Sequence, residues 1–249
     1  MARRSESPVT LITGAGDYVG PALARLMAGR GHHLVLHGPG ESLVRELESN
    51  GTEVESIDGV DLRTREGNQA VVAAALDRFG RLDAASFLTG RMVLGRFLEM
   101  TADDWERVKR ANLDMVFHAL QAAIPPMVKA GTGQIVVFTS ATGARPEPRV
   151  SLYASTRAGA NALVRAVGLE HARDGLCINA IGTNYMEFPG FLQASGADDP
   201  ERRRRIEEQV PARRLGTMEE LAEFTAVLLD GRSRFQTGQF FSYSGGWSA

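Results

Sequence analysis

Val9-Thr10-Leu11-Ile12-Thr13-Gly14-Ala15-Gly16-Asp17-Tyr18-Val19-Gly20 decides the fold of this chain. Five β-branched or apolar residues run into a glycine-rich turn, and a helix-compatible stretch follows to residue 30. Strand, glycine turn and helix in that order open a βαβ unit. Reading outward, six further strand-like runs appear at 33–37, 53–57, 82–88, 134–138, 176–181 and 238–242. Helical patterns at 17–30, 41–50, 64–79, 101–129, 153–173 and 217–229 fill the gaps. Parallel neighbours need crossovers, and right-handed crossovers place helices on both faces of the sheet. The fold class predicted is α/β, a single doubly wound parallel sheet occupying residues 1–249 as one domain, with no linker, repeat or low-complexity tract. In such sheets ligands bind outside the carboxyl ends of the strands. Chemistry is therefore sought in Gly14 to Gly20, Thr89-Gly90, Ser140 to Gly143 and Gly182 to Met186.

Composition narrows the class of partner. The 249 residues are 43% hydrophobic and 23% charged, with a formal net charge of −2. That balance gives no electrostatic reason to expect nucleic acid or an anionic membrane, so the expected partner is a small molecule. A single cysteine, Cys177, excludes an intramolecular disulfide and lies in an apolar run that reads as core. The N-terminal residues Arg3 and Arg4 precede no long apolar segment, and no stretch is long enough to span a bilayer. A cytoplasmic protein is expected. The five histidines show no metal-ligand spacing, and no metal is expected. Only Lys109 and Lys129 are lysines, so nearly all of the 28 basic residues are arginine. The run Arg202 to Arg205, flanked by Glu201, Glu207 and Glu208, reads as a solvated helix face.

The first turn resembles the Thr-Gly-x-x-x-Gly-x-Gly turn of short-chain dehydrogenases, where bare backbone approaches a dinucleotide pyrophosphate at a helix N-terminus. Tyr18 stands where that family carries glycine, and its ring is expected to lie in the dinucleotide's path. The second strand ends in His37-Gly38-Pro39-Gly40, with neither the acid that holds ribose hydroxyls nor the arginine that holds a 2′-phosphate. Against this, Asp61-Leu62 resembles the pair that flanks adenine in dehydrogenases.

Ser140 ends the fifth strand, Tyr153 opens the next helix, and Arg157 follows one turn later on the same face. The spacing matches the Ser and Tyr-x-x-x-Lys of short-chain dehydrogenases, with arginine in place of lysine. Arginine stays charged and cannot readily relay a proton from its own nitrogens. Asn112 matches the helix asparagine of the dehydrogenase relay and, without the lysine, reads as structural.

Tyr18 and Arg157 together resemble the halohydrin dehalogenase family, built on the Rossmann-like fold of short-chain dehydrogenases/reductases. Its pattern, Thr-x4-Phe/Tyr-x-Gly and Ser-x12-Tyr-x3-Arg, is met by Thr13, Tyr18 and Gly20 and by Ser140, Tyr153 and Arg157. The resemblance implies a lyase that converts vicinal haloalcohols to epoxides without a cofactor, and opens epoxides with azide, cyanide or nitrite. It gives Tyr153 the role of base, Ser140 that of holding the substrate oxygen, and Arg157 that of assisting proton transfer at Tyr153. A halide would rest among Tyr18, Thr183, Asn184, Tyr185 and Met186, with Phe188, Phe191 and Trp247 lining the substrate pocket. The family also implies a homotetramer packed through the long helices. The alternative is an atypical NAD(P)-dependent short-chain oxidoreductase that tolerates Tyr18 and Arg157.

Overall fold

The computed structural model describes residues 6–248; the basic residues Arg3 and Arg4 lie outside them. Each strand-like run forms a strand: β1 (Val9–Thr13), β2 (His33–His37), β3 (Val54–Ile57), β4 (Ala84–Leu88), β5 (Gly133–Ser140), β6 (Leu176–Thr183) and β7 (Phe240–Tyr243). They make one sheet, all pairs parallel, in the order β3-β2-β1-β4-β5-β6-β7. Strand order reverses between β1 and β4, so the carboxyl ends of β1, β4, β5 and β6 surround one crevice. β5 and β6 are buried almost throughout, as continuous apolar runs covered on both faces must be. One core layer includes Leu11, Val35, Phe87 and Ile135; the other includes Ile12, Leu34, Leu36 and Phe138.

The helices are α1 (Gly20–Gly29), α2 (Glu41–Ser49), α3 (Arg65–Phe79), α4 (Ala102–Lys109), α5 (Met115–Ala130), α6 (Ser151–Glu170), α7 (Pro189–Ser195), α8 (Pro200–Glu207) and α9 (Met218–Val227). Their ends follow local chemistry. Thr64 caps α3 by accepting a bond from the Gly67 amide, and Gly80 closes that helix in the left-handed conformation. Thr101 with Asp104 and Thr217 with Glu220 form reciprocal capping boxes on α4 and α9.

Three expectations need correction. Helix α1 starts at Gly20 rather than residue 17, because Tyr18 adopts φ 49° and the Gly20 amide turns back to the Asp17 carbonyl. The expected helix over 101–129 is interrupted by a π-helical turn, Arg110–Asp114, which presents the fully buried Asn112 to its partners. The expected helix over 153–173 begins two residues earlier and gives way at its end to a separate turn, Ala172–Asp174, closed by Gly175 at φ 81°. Among the described residues no helix is long and apolar enough to cross a membrane.

Candidate functional site

At the carboxyl edge of the sheet lies a cavity of about 690 Å³. Ser140 enters it from the end of β5, and Tyr153 and Arg157 from the first turns of α6. Tyr18, Thr183, Asn184, Tyr185, Met186, Phe188 and Phe191 line it as well. Trp247 does not. Its buried ring stands behind Tyr185, centroids 5.7 Å apart, with the Arg145 guanidinium 4.7 Å above it.

Ser140 is 4% exposed; its Oγ accepts the Thr142 amide at 3.2 Å and faces the Thr183 carbonyl at 3.5 Å. The Tyr153 side chain is buried among Val150 and Ala154, and its hydroxyl has no protein partner among the described residues. A serine fixed by its own turn and a tyrosine hydroxyl left free can both address one oxygen atom in the cavity.

Arg157 is anchored on Thr89. Its Nη1 donates to Thr89 Oγ1 at 2.8 Å and its Nη2 to the Thr89 carbonyl at 2.5 Å, while its Nε has no partner. Thr89 Oγ1 donates in turn to the Phe138 carbonyl at 2.7 Å, so the guanidinium is anchored to the ends of β4 and β5. The charge lies over the Tyr153 ring, 5.1 Å from its centroid. Gly90 makes room for it: a Cβ there would stand 1.5 Å from Arg157 Nη2. Thr89 is the residue that motif spacing missed; the only signal pointing to it was its place after β4.

Tyr18 crosses the crevice. Its hydroxyl donates to Thr183 Oγ1 at 2.8 Å, and its ring meets Phe188 edge-on at 4.8 Å and Phe138 at 6.3 Å. Burial pushes the phenol well above its ordinary pKa, so it stays a neutral donor. The residues therefore do not fit a dinucleotide laid over the first turn while Tyr18 holds this position. At the end of β2, the Gly16 amide donates to the Gly38 carbonyl and a Cβ on Gly16 would strike that oxygen at 2.5 Å, which keeps the two loops in contact.

Asn112 ties the site's walls together. Its Oδ1 accepts the Arg91 amide at 2.7 Å, and its Nδ2 donates to the Arg91 carbonyl and to Thr156 Oγ1 at 3.0 and 3.1 Å.

The loop after β6 brings Thr183, Asn184, Tyr185 and Met186 to the cavity. The Asn184 amide donates to the Tyr243 carbonyl and the Tyr185 amide to Asn184 Oδ1, so these two backbone donors are engaged within the protein. Thr183 Oγ1 is engaged by Tyr18.

Comparison with known proteins identifies the family. The sequence model of the family described as enoyl-(acyl carrier protein) reductase matches residues 14–248. The chain is 32% identical to oxidoreductase UcpA of Salmonella typhimurium, covering 92% of this chain and 89% of that one. It is 29% identical to D-beta-hydroxybutyrate dehydrogenase of Rhizobium meliloti, covering 96% and 98%. Among solved structures it resembles levodione reductase, with a TM-score of 0.86, 29% identity and 99% of each chain covered. It also resembles an actinorhodin polyketide ketoreductase solved with NADPH, with a TM-score of 0.89, 28% identity and 100% and 99% covered.

These proteins are named for oxidation and reduction, and none of them for dehalogenation. The expectations of a carbon-halide lyase, of epoxide chemistry and of work without a cofactor are overturned by them. Tyr18 and Arg157, the two departures from the dehydrogenase spacing read in the sequence, both line the cavity that holds Ser140 and Tyr153. The chain belongs to the short-chain dehydrogenase/reductase family.

Proposed function

We propose that this chain is an NAD(P)-dependent oxidoreductase of the short-chain class that interconverts a small hydroxyl compound and its carbonyl. The observation that carries the reading is Ser140 beside Tyr153 in one largely apolar cavity, the tyrosine hydroxyl unclaimed by any protein group. Ser140 holds the substrate oxygen, and Tyr153 takes or returns its proton. Arg157, anchored on Thr89, orients the Tyr153 ring from beneath. Phe188 and Phe191 exclude water from the reacting carbon.

A nicotinamide dinucleotide supplies or accepts the hydride in relatives such as the ketoreductase solved with NADPH. Here Tyr18 must give up its bond to Thr183 before such a molecule can settle over the first turn.

The test is a panel of small ketones and secondary alcohols with NADH and NADPH, followed by nicotinamide absorbance, in the wild type and in Tyr18→Gly. Substrate-dependent turnover is expected, and Tyr153→Phe should lower kcat by roughly 10²–10⁴-fold, the range for losing a positioned acid–base group. Absence of any absorbance change in both proteins across the panel would defeat the reading.

A further inference from the structure

Beside the central cavity lies a second cleft of about 430 Å³, bounded by the residues leading into α3, the end of β4 and the junction of α4 with α5. Arg63, Arg91 and Ala111 line both spaces, so the two adjoin. Four guanidiniums face the cleft, from Arg63, Arg91, Arg107 and Arg110, against the carboxylates of Asp61 and Asp114. Arg63 is held by Asp61 at 2.8 Å, and Arg107 is paired with Asp104. Asp114 is approached by Lys109 at 3.8 Å. Arg91 and Arg110 have no carboxylate partner among the described residues.

The backbone of Arg91 is fixed in both directions by Asn112, which leaves its guanidinium as the free element at the junction of the two spaces. Arg91 and Arg110 line the cleft without carboxylate partners of their own, and an oxyanion accepting paired N–H bonds would supply one. Asp61, likened in the sequence to the pair that flanks adenine in dehydrogenases, lines one wall of this cleft, but neither the first turn at 14–20 nor the end of β2 at 37–40 does, and Arg91 and Arg110 are no part of that pair.

We infer that Arg91 and Arg110 form a subsite for an anionic group of the substrate, a carboxylate or a phosphate monoester, joined to the carbon handled at Ser140 and Tyr153. The inference rests on the oxidoreductase reading for the reacting end, and on the arginines alone for the anion.

Two substrate pairs test it and separate the sources of charge: acetoacetate against its methyl ester, and dihydroxyacetone phosphate against dihydroxyacetone. In the wild type the charged member of one pair is expected to be preferred. In the double variant Arg91→Gln with Arg110→Gln, that charged-to-neutral ratio of kcat/KM should fall by about tenfold or more, the scale of losing charge-assisted bonds. The pair that responds identifies carboxylate or phosphate. The corresponding lysine pair, which keeps the charge, guards against misreading a folding defect and should retain most of the preference.

Calorimetry with inorganic phosphate and with acetate reads the subsite without turnover. Weaker binding in the glutamine variant, by about fivefold or more, is expected even if no substrate in the panel reacts. Unchanged ratios, or equal binding of both anions by wild type and glutamine variant, would overturn the subsite. Loss of turnover with anion binding intact would overturn only the oxidoreductase reading.

Discussion

Tyr18 sits at φ 49°, a conformation that a tyrosine keeps only where its surroundings hold it there. The hydroxyl bond to Thr183 and the edge contacts with Phe138 and Phe188 are what hold it. Two substitutions separate those contributions. Tyr18→Phe removes the bond but keeps the ring, and should cost about 1 kcal/mol of stability with little gain in dinucleotide binding. Tyr18→Gly clears the ring and relieves the backbone, and should tighten NAD(P)H binding by roughly tenfold or more, the effect of removing an occupant from a site. Fluorescence titration of both variants checks this; equal affinities would mean that the ring does not occupy the dinucleotide's seat. Gly90 carries a second prediction. Its φ of +126° and the Arg157 nitrogen 1.5 Å from any added Cβ make Gly90→Ala doubly unfavourable. A loss of about 2–3 kcal/mol in urea unfolding is expected, with a lower kcat as the Tyr153 ring loses its support. The sequence identified Tyr18 and Arg157 as departures from a motif, yet not where the guanidinium points. That direction depends on Thr89, 68 positions away in the chain, and no local pattern encodes it.

Helix α9 shows how an element's end can carry a pH response. Glu220 donates no proton but closes a capping box with Thr217, and both its oxygens take bonds from Arg214 at 2.6 and 2.7 Å. The Arg214 guanidinium, aided by the Thr217 amide, holds the carboxyl down from its ordinary 4.5 to about 2. A depressed acid contributes stability that is complete above its unfolded value and disappears as pH falls through the folded one. The contribution should therefore fade between pH 4.5 and about 2. Glu220→Gln should lower the melting temperature at neutral pH and flatten its decline across that window; parallel melting curves for the two proteins would contradict the assignment. Because the pair is largely exposed, the effect should be modest. At this scale the strands were legible, since β-branched runs bounded by glycine leave few alternatives. The interruption of the helix over 101–129 was not. Nothing in the local run Arg110–Asp114 forbids an α-helix, and the π-helical turn is fixed by Asn112 reaching Arg91 and Thr156, contacts that exist only after the sheet has formed.

The parallel order of the strands followed from strand–helix alternation, and so did the place of the site. Which reaction the site performs did not follow, because the same serine, tyrosine and glycine turn serve more than one chemistry and the distinguishing residues act through packing. Assembly belongs to this scale too. Helices α5 and α6 leave an apolar groove of about 560 Å³ between them, lined by Phe117, Leu120, Ile124, Val128, Leu163 and Val167. Phe117 is 47% exposed and Leu169, on the same helix as Leu163, is 67% exposed. Lys129 and Glu170 also line the groove, offering opposite charges. A face that is its own complement favours a two-fold pairing, in which each helix pair covers the other's groove, and two such pairings at right angles close a tetramer. We therefore predict a homotetramer in solution, with this face as one of its contacts. Phe117→Glu with Leu169→Glu would bury four or more like charges in that contact and should shift the sedimenting species to a smaller assembly. Sedimentation velocity of the two proteins at matched concentration reads the result, and a wild type that already sediments as a single chain would remove this face from consideration as an interface.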